Sequence, residues 1–497
     1  MNTQHFDILI AGAGLSGIGT ACHLQRALPG KRMALLERRG TLGGTWDLFR
    51  YPGIRSDSDM FTFGFQFRPW SSQKVLADGH SIRQYLYDTA KQFGIDQKVQ
   101  YSIKIISANW SSQERLWTLE TLNEATGEAN LYTCNFFISC TGYYNHEAGF
   151  LPEFPGEKSF KGTQIHPQHW PENFDYSGKK VVIIGSGATA VTLVPAMAEK
   201  AAHVTMLQRS PSYILAIPGL DKISEVLGRF LPGSWVYRLA RYRNLLIQRL
   251  IYRSCRRWPK LARRILLNRT RKHLGAEADM THFTPKYMPW DERLCAVPDA
   301  DLFQALRSGK ASVLTDHIET FTENGIRLKS GQHIQADIII TATGLNMQML
   351  GGIELKVDDK LTPLSSTMTY KSILLESIPN MAWVFGYTNA PWTLKSDLAG
   401  QYLCRLLQHM HEYQLDVVTP KDLEGCALDD GMLDVLQSGY VQRGKTIMPR
   451  QGSKYPWKVM MHYEHDSEML LQDPIADGIL HFDAAETTTA DSMRQTA

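Results

Sequence analysis

The stretch FDILIAGAGLSGIGTACHLQRALPGKRMALLE, residues 6–37, decides the fold. Its opening FDILIAG reads as a buried strand, a helical pattern runs from Leu15 to about Leu28, and the apolar run RMALLE closes the unit on Glu37. Between strand and helix, Gly12, Gly14 and Gly17 stand at G-x-G-x-x-G spacing, which in this setting is a dinucleotide-binding fingerprint. Glycine lets the backbone turn tightly and lets pyrophosphate oxygens approach main-chain amides at a helix N-terminus. A carboxylate at the end of the second strand accepts both ribose hydroxyls of an adenosine that carries no 2′-phosphate.

The unit recurs from residue 179: KKVVIIGSG, then a helical pattern, then HVTMLQR. Gly185 and Gly187 are kept, Ala190 takes the third glycine site, and the second strand ends Leu207-Gln208-Arg209 without a carboxylate. A guanidinium binds a 2′-phosphate bidentately where a carboxylate would repel it, so the second nucleotide is expected to be NADP. The alternative for Arg209 is a solvated charge at a strand end. Two such units imply an α/β protein with two Rossmann-like dinucleotide-binding domains.

Between the units, VQYSIKIISANW, RLWTLETL and NLYTCNFFISCTG alternate as an antiparallel meander. The strand ends ISCTG (138–142) and ITATG (340–344) resemble each other and mark two chain crossings, which makes the first domain discontinuous. The expected division is 1–146 for its first part, 147–344 for the second domain with a basic helical insertion over about 222–290, and 345–497 for its second part. The polar tail ETTTADSMRQTA is expected to be disordered.

A chain of 497 residues exceeds what one core serves, in keeping with two or three domains. Its net charge of +3 is too small to imply nucleic acid or membrane as a partner. The seven cysteines (22, 134, 140, 255, 295, 404 and 426) form no C-x-x-C pair and no metal spacing, which points to reduced thiols and excludes dithiol redox chemistry. No signal peptide and no window of eighteen apolar residues stands out, so a cytoplasmic location is expected.

The charge is unevenly placed. From Arg238 to Lys272 there are thirteen Lys and Arg and no Asp or Glu. Three readings compete: a solvated helical face, a positive rim that draws in anionic NADPH, and peripheral contact with an anionic membrane surface through residues 238–272. Nucleic acid is not expected, because no recognition fold accompanies the charge.

After Glu37 comes RRGTLGGTWDLFRYPGIRSDSDMFTF. Gly43 and Gly44 offer a second turn near the first nucleotide, Trp46 a stacking face, and Arg55 with Asp57 an acid–base pair beyond the turn YPG, which together suggest a redox pocket. The alternative is a surface turn in which Asp57 caps a helix. No metal is expected, since neither Asp57 with Asp59 nor His166 with His169 has further ligands at the required spacing.

The segment FKGTQIHPQHWP carries Phe160, Gly162, His166, Trp170 and Pro171 at a spacing that resembles the fingerprint of the type I Baeyer–Villiger monooxygenases, which are class B flavoprotein monooxygenases. A second signature of that family is met by Gly43-Gly44-x-Trp46, Tyr51-Pro52-Gly53 and Asp57. Flavin-containing monooxygenases are similar here but usually carry tyrosine or phenylalanine where Trp170 stands. YPGIRSDSDMFTFGFQF and GYTNAPWTLKSDL most resemble the subgroup typified by ethionamide monooxygenase.

The resemblance implies FAD on Gly12, Gly14, Gly17 and Glu37, with Gly44, Trp46 and Asp57 beside it, and NADPH on Gly185, Gly187 and Arg209. It implies that O2 adds at the flavin C4a, that the resulting peroxide attacks a ketone, and that an ester or lactone forms, with thioether or thioamide sulfur as a further target. In that family an arginine stabilises the peroxyanion and the adduct. Position and context suggest Arg293, in PWDERLCAVPDADLF, with Asp57 orienting its guanidinium. The fingerprint residues then couple the two domains. One departure is Glu292, where many members have lysine; it weakens the NADPH preference without reversing it. The rival reading is a flavin-containing monooxygenase acting on nucleophilic nitrogen or sulfur.

Overall fold

In a computed structural model the chain is described over residues 3–292, 294–433 and 439–484. The strand Thr3–Ala11 runs parallel to Met33–Leu36 on one side and to Ala129–Ser139 on the other. A parallel strand covered on both faces must be apolar throughout, and Leu9 and Ile10 are fully buried. The helix Leu15–Ala27 makes the crossover and packs against Trp392–Glu412.

The meander forms as read. Ile103–Ser111, Leu116–Asn123 and Ala129–Ser139 pair antiparallel in succession, and the last of them returns the chain to Thr3–Ala11. The same sheet recruits Glu354–Val357 beside Ile103–Ser111, and Met381–Trp383 beside Ala129–Ser139. It therefore draws strands from both sides of the second unit.

That unit is a five-stranded parallel sheet in the order Ala311–Thr315, His203–Gln208, Lys180–Ile184, Ile338–Thr341, Thr163–Ile165. The helix Ala188–Met197 follows its glycine loop. Where the chain leaves the first sheet, Tyr144–Gly149 pairs antiparallel with Leu345–Met347, the segment on which it returns. The two crossings are thus one two-stranded ribbon.

The basic region is three helices, Lys222–Leu227, Gly233–Arg257 and Pro259–Leu274. Its inner face grips the short helix Met60–Phe63 of the first unit at both ends. At the N-terminus the Asp59 carboxylate accepts from Thr62 N (3.1 Å), Asn244 Nδ2 (2.7 Å) and Gln248 Nε2 (2.6 Å). At the other end the buried Arg241 donates to the carbonyls of Phe61 and Gly64, each at 2.9 Å, which places a cation where the helix dipole is negative. Arg249 reaches Glu464 at 2.9 Å and Arg256 reaches Asp291 at 3.0 Å.

All seven cysteines are buried and none forms a disulfide. Among the described residues no helix is long and apolar enough to cross a membrane. The tail ETTTADSMRQTA lies outside the described residues.

Candidate functional site

A cavity of about 990 Å³ lies between the two units, and both glycine loops reach it. Gly12, Gly14 and Glu37 line it from the first unit and Gly187 from the second, while Trp46 and Asp57 stand in its wall.

Close approach explains the glycines. A Cβ on Gly17 would lie 1.9 Å from the Gly12 carbonyl oxygen, so helix and loop touch through bare backbone. The turn Gly43-Gly44 folds onto the same loop: Gly44 has φ +56°, and a Cβ there would lie 2.9 Å from Gly14 Cα. Nothing stands within 4 Å of a Cβ built on Gly187, so that loop offers its backbone to open space where a pyrophosphate can approach.

The Glu37 carboxylate is buried at the end of its strand and accepts from Ala13 N at 2.7 Å and Arg39 N at 2.9 Å. Burial raises its pKa, opposed by those two N–H bonds and by the Arg39 charge. Each carboxylate oxygen has a second lone pair, so the group can still receive ribose hydroxyls. These features fit a dinucleotide in each loop.

Trp46 is half-buried and meets Phe63 edge to face at 5.7 Å. Two readings suggested by the sequence are corrected. Arg55 does not pair with Asp57; its guanidinium is held by Asp301 at 2.5 Å, at the start of the helix Asp301–Arg307. Asp57 is not a cap either, since Asp59 caps Met60–Phe63. Asp57 is left exposed on the cavity, with Ser58 Oγ at 3.4 Å. A helix cap is chosen by backbone geometry two residues on, which spacing alone does not reveal.

The turn Tyr51-Pro52-Gly53 docks the first unit on the second. Gly53 lies so close to the helix Ala188–Met197 that a Cβ would come within 2.7 Å of Ala196 Cβ. The Tyr51 hydroxyl bonds Thr189 on that helix, and burial pushes its pKa up to about 12.

Arg209 is exposed just past His203–Gln208 and stands outside the cavity wall, with Glu292 near enough to interact with it. Arg293 lies outside the described residues, and its neighbours Glu292 and Leu294 both line the cavity.

The fingerprint segment lies away from the cavity wall. Phe160 is buried and meets Phe321 at 6.5 Å, Gly162 leaves room for the Asp337 carbonyl, and Trp170 packs on Phe174 ahead of the exposed Pro171. His166 holds the ribbon: Nδ1 accepts from Gln168 N and Nε2 bonds the Gly344 carbonyl, both at 3.2 Å. Because Nδ1 is an acceptor, Nε2 carries the proton and the ring is neutral. His169 bonds the Glu147 carbonyl at 2.9 Å, so each histidine touches the chain crossing.

Burial lowers the His166 pKa below its ordinary value. The sign follows: the unfolded ring protonates first as pH falls, so this ring's contribution is complete above about pH 6.5 and is lost as pH falls through the lower folded value. His166→Ala is expected to retain FAD, to waste more NADPH per product formed, and to show a smaller fall in Tm between neutral pH and pH about 5 than the parent. Unchanged coupling together with an unchanged Tm profile would refute the assignment.

Some site residues gave no signal in the sequence. Asp47 is fully buried beneath the Gly43-Gly44 turn and takes Arg39 at 2.6 Å, Arg50 at 2.9 Å and Arg83 at 3.3 Å. Tyr387, on the cavity wall, donates to Asp466 at 2.7 Å, and Asp466 pairs with the buried Lys395 at 2.9 Å. Trp392 stacks on Tyr143 at 5.2 Å and donates to Ser16 Oγ at 2.7 Å, fastening a distant helix to the first loop. Apart from the local arginines of Asp47, their partners are far away in the chain, from 71 residues for Lys395 and Asp466 to 376 for Trp392 and Ser16.

Fold and site together define a protein with two dinucleotide-type loops opening on one shared cavity. The flavin-binding monooxygenase-like family matches residues 74–350, and an NAD(P)-binding Rossmann-like domain matches residues 10–76. Over 486 residues the chain is 66% identical to the putative FAD-containing monooxygenase MymA of Mycobacterium tuberculosis strain H37Rv, covering 97% of this chain and 98% of that protein. It is 48% identical to the FAD-containing monooxygenase EthA of the same strain, covering 97% and 98%. A steroid monooxygenase bound to NADP has the same fold at 19% identity, with a TM-score of 0.77 over 97% of this chain and all of that one. The chain belongs to the flavin-binding monooxygenase-like family.

Proposed function

We propose that the protein is an NADPH-consuming, FAD-dependent Baeyer–Villiger monooxygenase that converts ketones to esters or lactones and also oxidises thioether or thioamide sulfur. The observation that carries this reading is the single cavity onto which both glycine loops open, with Trp46 and Asp57 in its wall and the flanks of Arg293 beside them. When bound at the first loop, FAD would use reducing equivalents from NADPH at the second to activate O2 for oxygen transfer.

The chain's own residues bind, orient and stabilise. Gly12, Gly14 and Gly17 let the backbone meet the FAD pyrophosphate, and Glu37 receives the ribose. Gly44 and Trp46, in the same cavity wall, would stand beside that cofactor. Gly185 and Gly187 present the second loop to NADPH. Arg293 would put a cation where negative charge develops, and Asp57 would orient that guanidinium. Phe160, Gly162, His166, Trp170 and Pro171 tie the crossing ribbon to the second sheet, so that the two sites move together.

Arg209, outside the cavity wall beside Glu292, sets the choice of NADPH, and Glu292 weakens it. Arg209→Ala is expected to raise KM for NADPH about tenfold and leave KM for NADH nearly unchanged, as removal of one charged hydrogen-bonding partner implies. Equal use of NADH and NADPH by the parent protein would reject this role.

The decisive experiment incubates the yellow protein with NADPH, O2 and a panel of linear, cyclic and aryl ketones, thioethers and tertiary amines, and identifies products by mass spectrometry. Esters or lactones support the proposal. Sulfoxides or N-oxides alone would replace it with a flavin-containing monooxygenase of nucleophilic nitrogen and sulfur.

A further inference from the structure

The long basic helix Gly233–Arg257 has two unlike faces. Arg241, Asn244 and Gln248 turn inward to the segment Asp59–Gly64, and Gln248 also lines the cavity. On the opposite side Trp235, Leu239, Tyr242, Leu246 and Leu250 recur three or four residues apart, and all are exposed. Tyr242 is 71% exposed and Leu250 54%. Trp258 at the junction and Leu261 and Ile265 on the next helix are exposed as well, and Phe230, ahead of the long helix, is 80% exposed. An apolar stripe of this length on the surface has no partner within the described chain.

Its rim is cationic. Arg238, Arg257, Lys260, Arg264, Arg269 and Lys272 are exposed. No acidic residue occurs between Glu225 and Glu277. Two observations favour a lipid surface over a second copy of the chain. Pairing this face with itself would set cation against cation, whereas anionic headgroups neutralise the rim while acyl chains take up the stripe. Arginine and lysine stems also lie along apolar surface with their charges outward, and tryptophans such as Trp235 and Trp258 suit the interface between headgroup and acyl chain.

We propose that the three-helix insertion is a peripheral docking surface for an anionic lipid bilayer, with the outer stripe of Gly233–Arg257 and Pro259–Leu274 lying in the interface. The helix lies flat on the bilayer rather than crossing it, as an amphipathic helix with a polar inner face must. Docking would place the helix that walls the cavity directly on the lipid. The inference does not depend on which substrate the cavity takes.

The test uses the full-length, FAD-loaded protein, sedimented with phosphatidylcholine vesicles that either lack or contain phosphatidylglycerol, at low and high salt. Binding is expected only with phosphatidylglycerol and is expected to weaken with salt. The charge variant Arg257→Gln/Arg264→Gln should bind about 30-fold more weakly, from roughly one interfacial charge's worth of affinity for each residue. The apolar variant Leu250→Ser/Trp258→Ser should lose at least about tenfold. Both should keep their flavin spectrum and their NADPH oxidation in the absence of vesicles. Absence of binding, binding unaffected by phosphatidylglycerol, or binding unchanged in both variants would overturn the proposal. So would a concentration-dependent dimer that the apolar variant abolishes, since the face would then belong to a second copy.

Discussion

Asp466→Ala is expected to lower the folding stability by about 3–5 kcal/mol, enough to deplete the FAD-loaded protein during expression. The Lys395 and Asp466 side chains are each 4% exposed, with 2.9 Å between Nζ and Oδ2. Burial pushes the Lys395 pKa below its usual value, and the Asp466 charge pulls it back up. Burial likewise raises the Tyr387 hydroxyl well above its usual value, so it stays a neutral donor to Asp466. Removing the carboxylate leaves an ammonium without its counter-ion and a hydroxyl without its acceptor, both out of water.

Two further measurements separate this cause from a simple cavity. In the alanine variant the folded Lys395 gives up its proton before the unfolded chain does, so stability should recover as pH rises toward about 10. Lys395→Met/Asp466→Leu should be less damaged than Asp466→Ala, because no charge remains buried. If the double variant is as unstable as the single one, the ion pair is not the reason. Urea unfolding followed by flavin fluorescence reads all three proteins.

Arg293→Ala is expected to reduce product formation about 10²–10³-fold while NADPH oxidation continues and its reducing equivalents appear as hydrogen peroxide. The effect is differential: a guanidinium beside developing negative charge lowers the barrier to oxygen transfer, while hydride transfer does not need it. Arg293→Lys should recover little, because an ammonium lacks the planar fork that Asp57 would orient. Asp57→Asn should cost less than Arg293→Ala, since it removes the orienting group and leaves the cation. A parallel assay of NADPH consumed, peroxide released and ester formed decides the matter. Proportional loss of all three would show that Arg293 serves cofactor binding instead.

Much of the fold was legible from residues 6–37 and their echo at 179–209, because a parallel strand buried on both faces and a glycine loop leading into a helix need only local sequence. The meander was legible for the same reason, through its period-two alternation. The carboxylates beyond the YPG turn were not. Asp57 and Asp59 are two residues apart with similar neighbours, yet Asp59 is consumed by Thr62, Asn244 and Gln248 and Asp57 faces the cavity. That difference depends on a helix nearly 190 positions away in the chain.

The basic segment shows the same division. Composition alone displays thirteen cations without an acid, and no more than a choice among three surfaces. Packing sorts them: Arg241 turns inward to cap a helix of the first unit, while Arg257 and Arg264 remain outside with the apolar stripe.

By itself, then, the sequence determined two nucleotide-type loops, their order, and the family signatures of Gly43–Asp57 and Phe160–Pro171, since each is set by contacts within a few dozen residues. Only the tertiary structure decided that both loops open on one cavity, that His166 and Gly344 meet at the crossing ribbon, and that Lys395 and Asp466 share a buried charge pair. Those relations join residues that chain connectivity leaves far apart, and burial of apolar surface within and between the units is what brings them together.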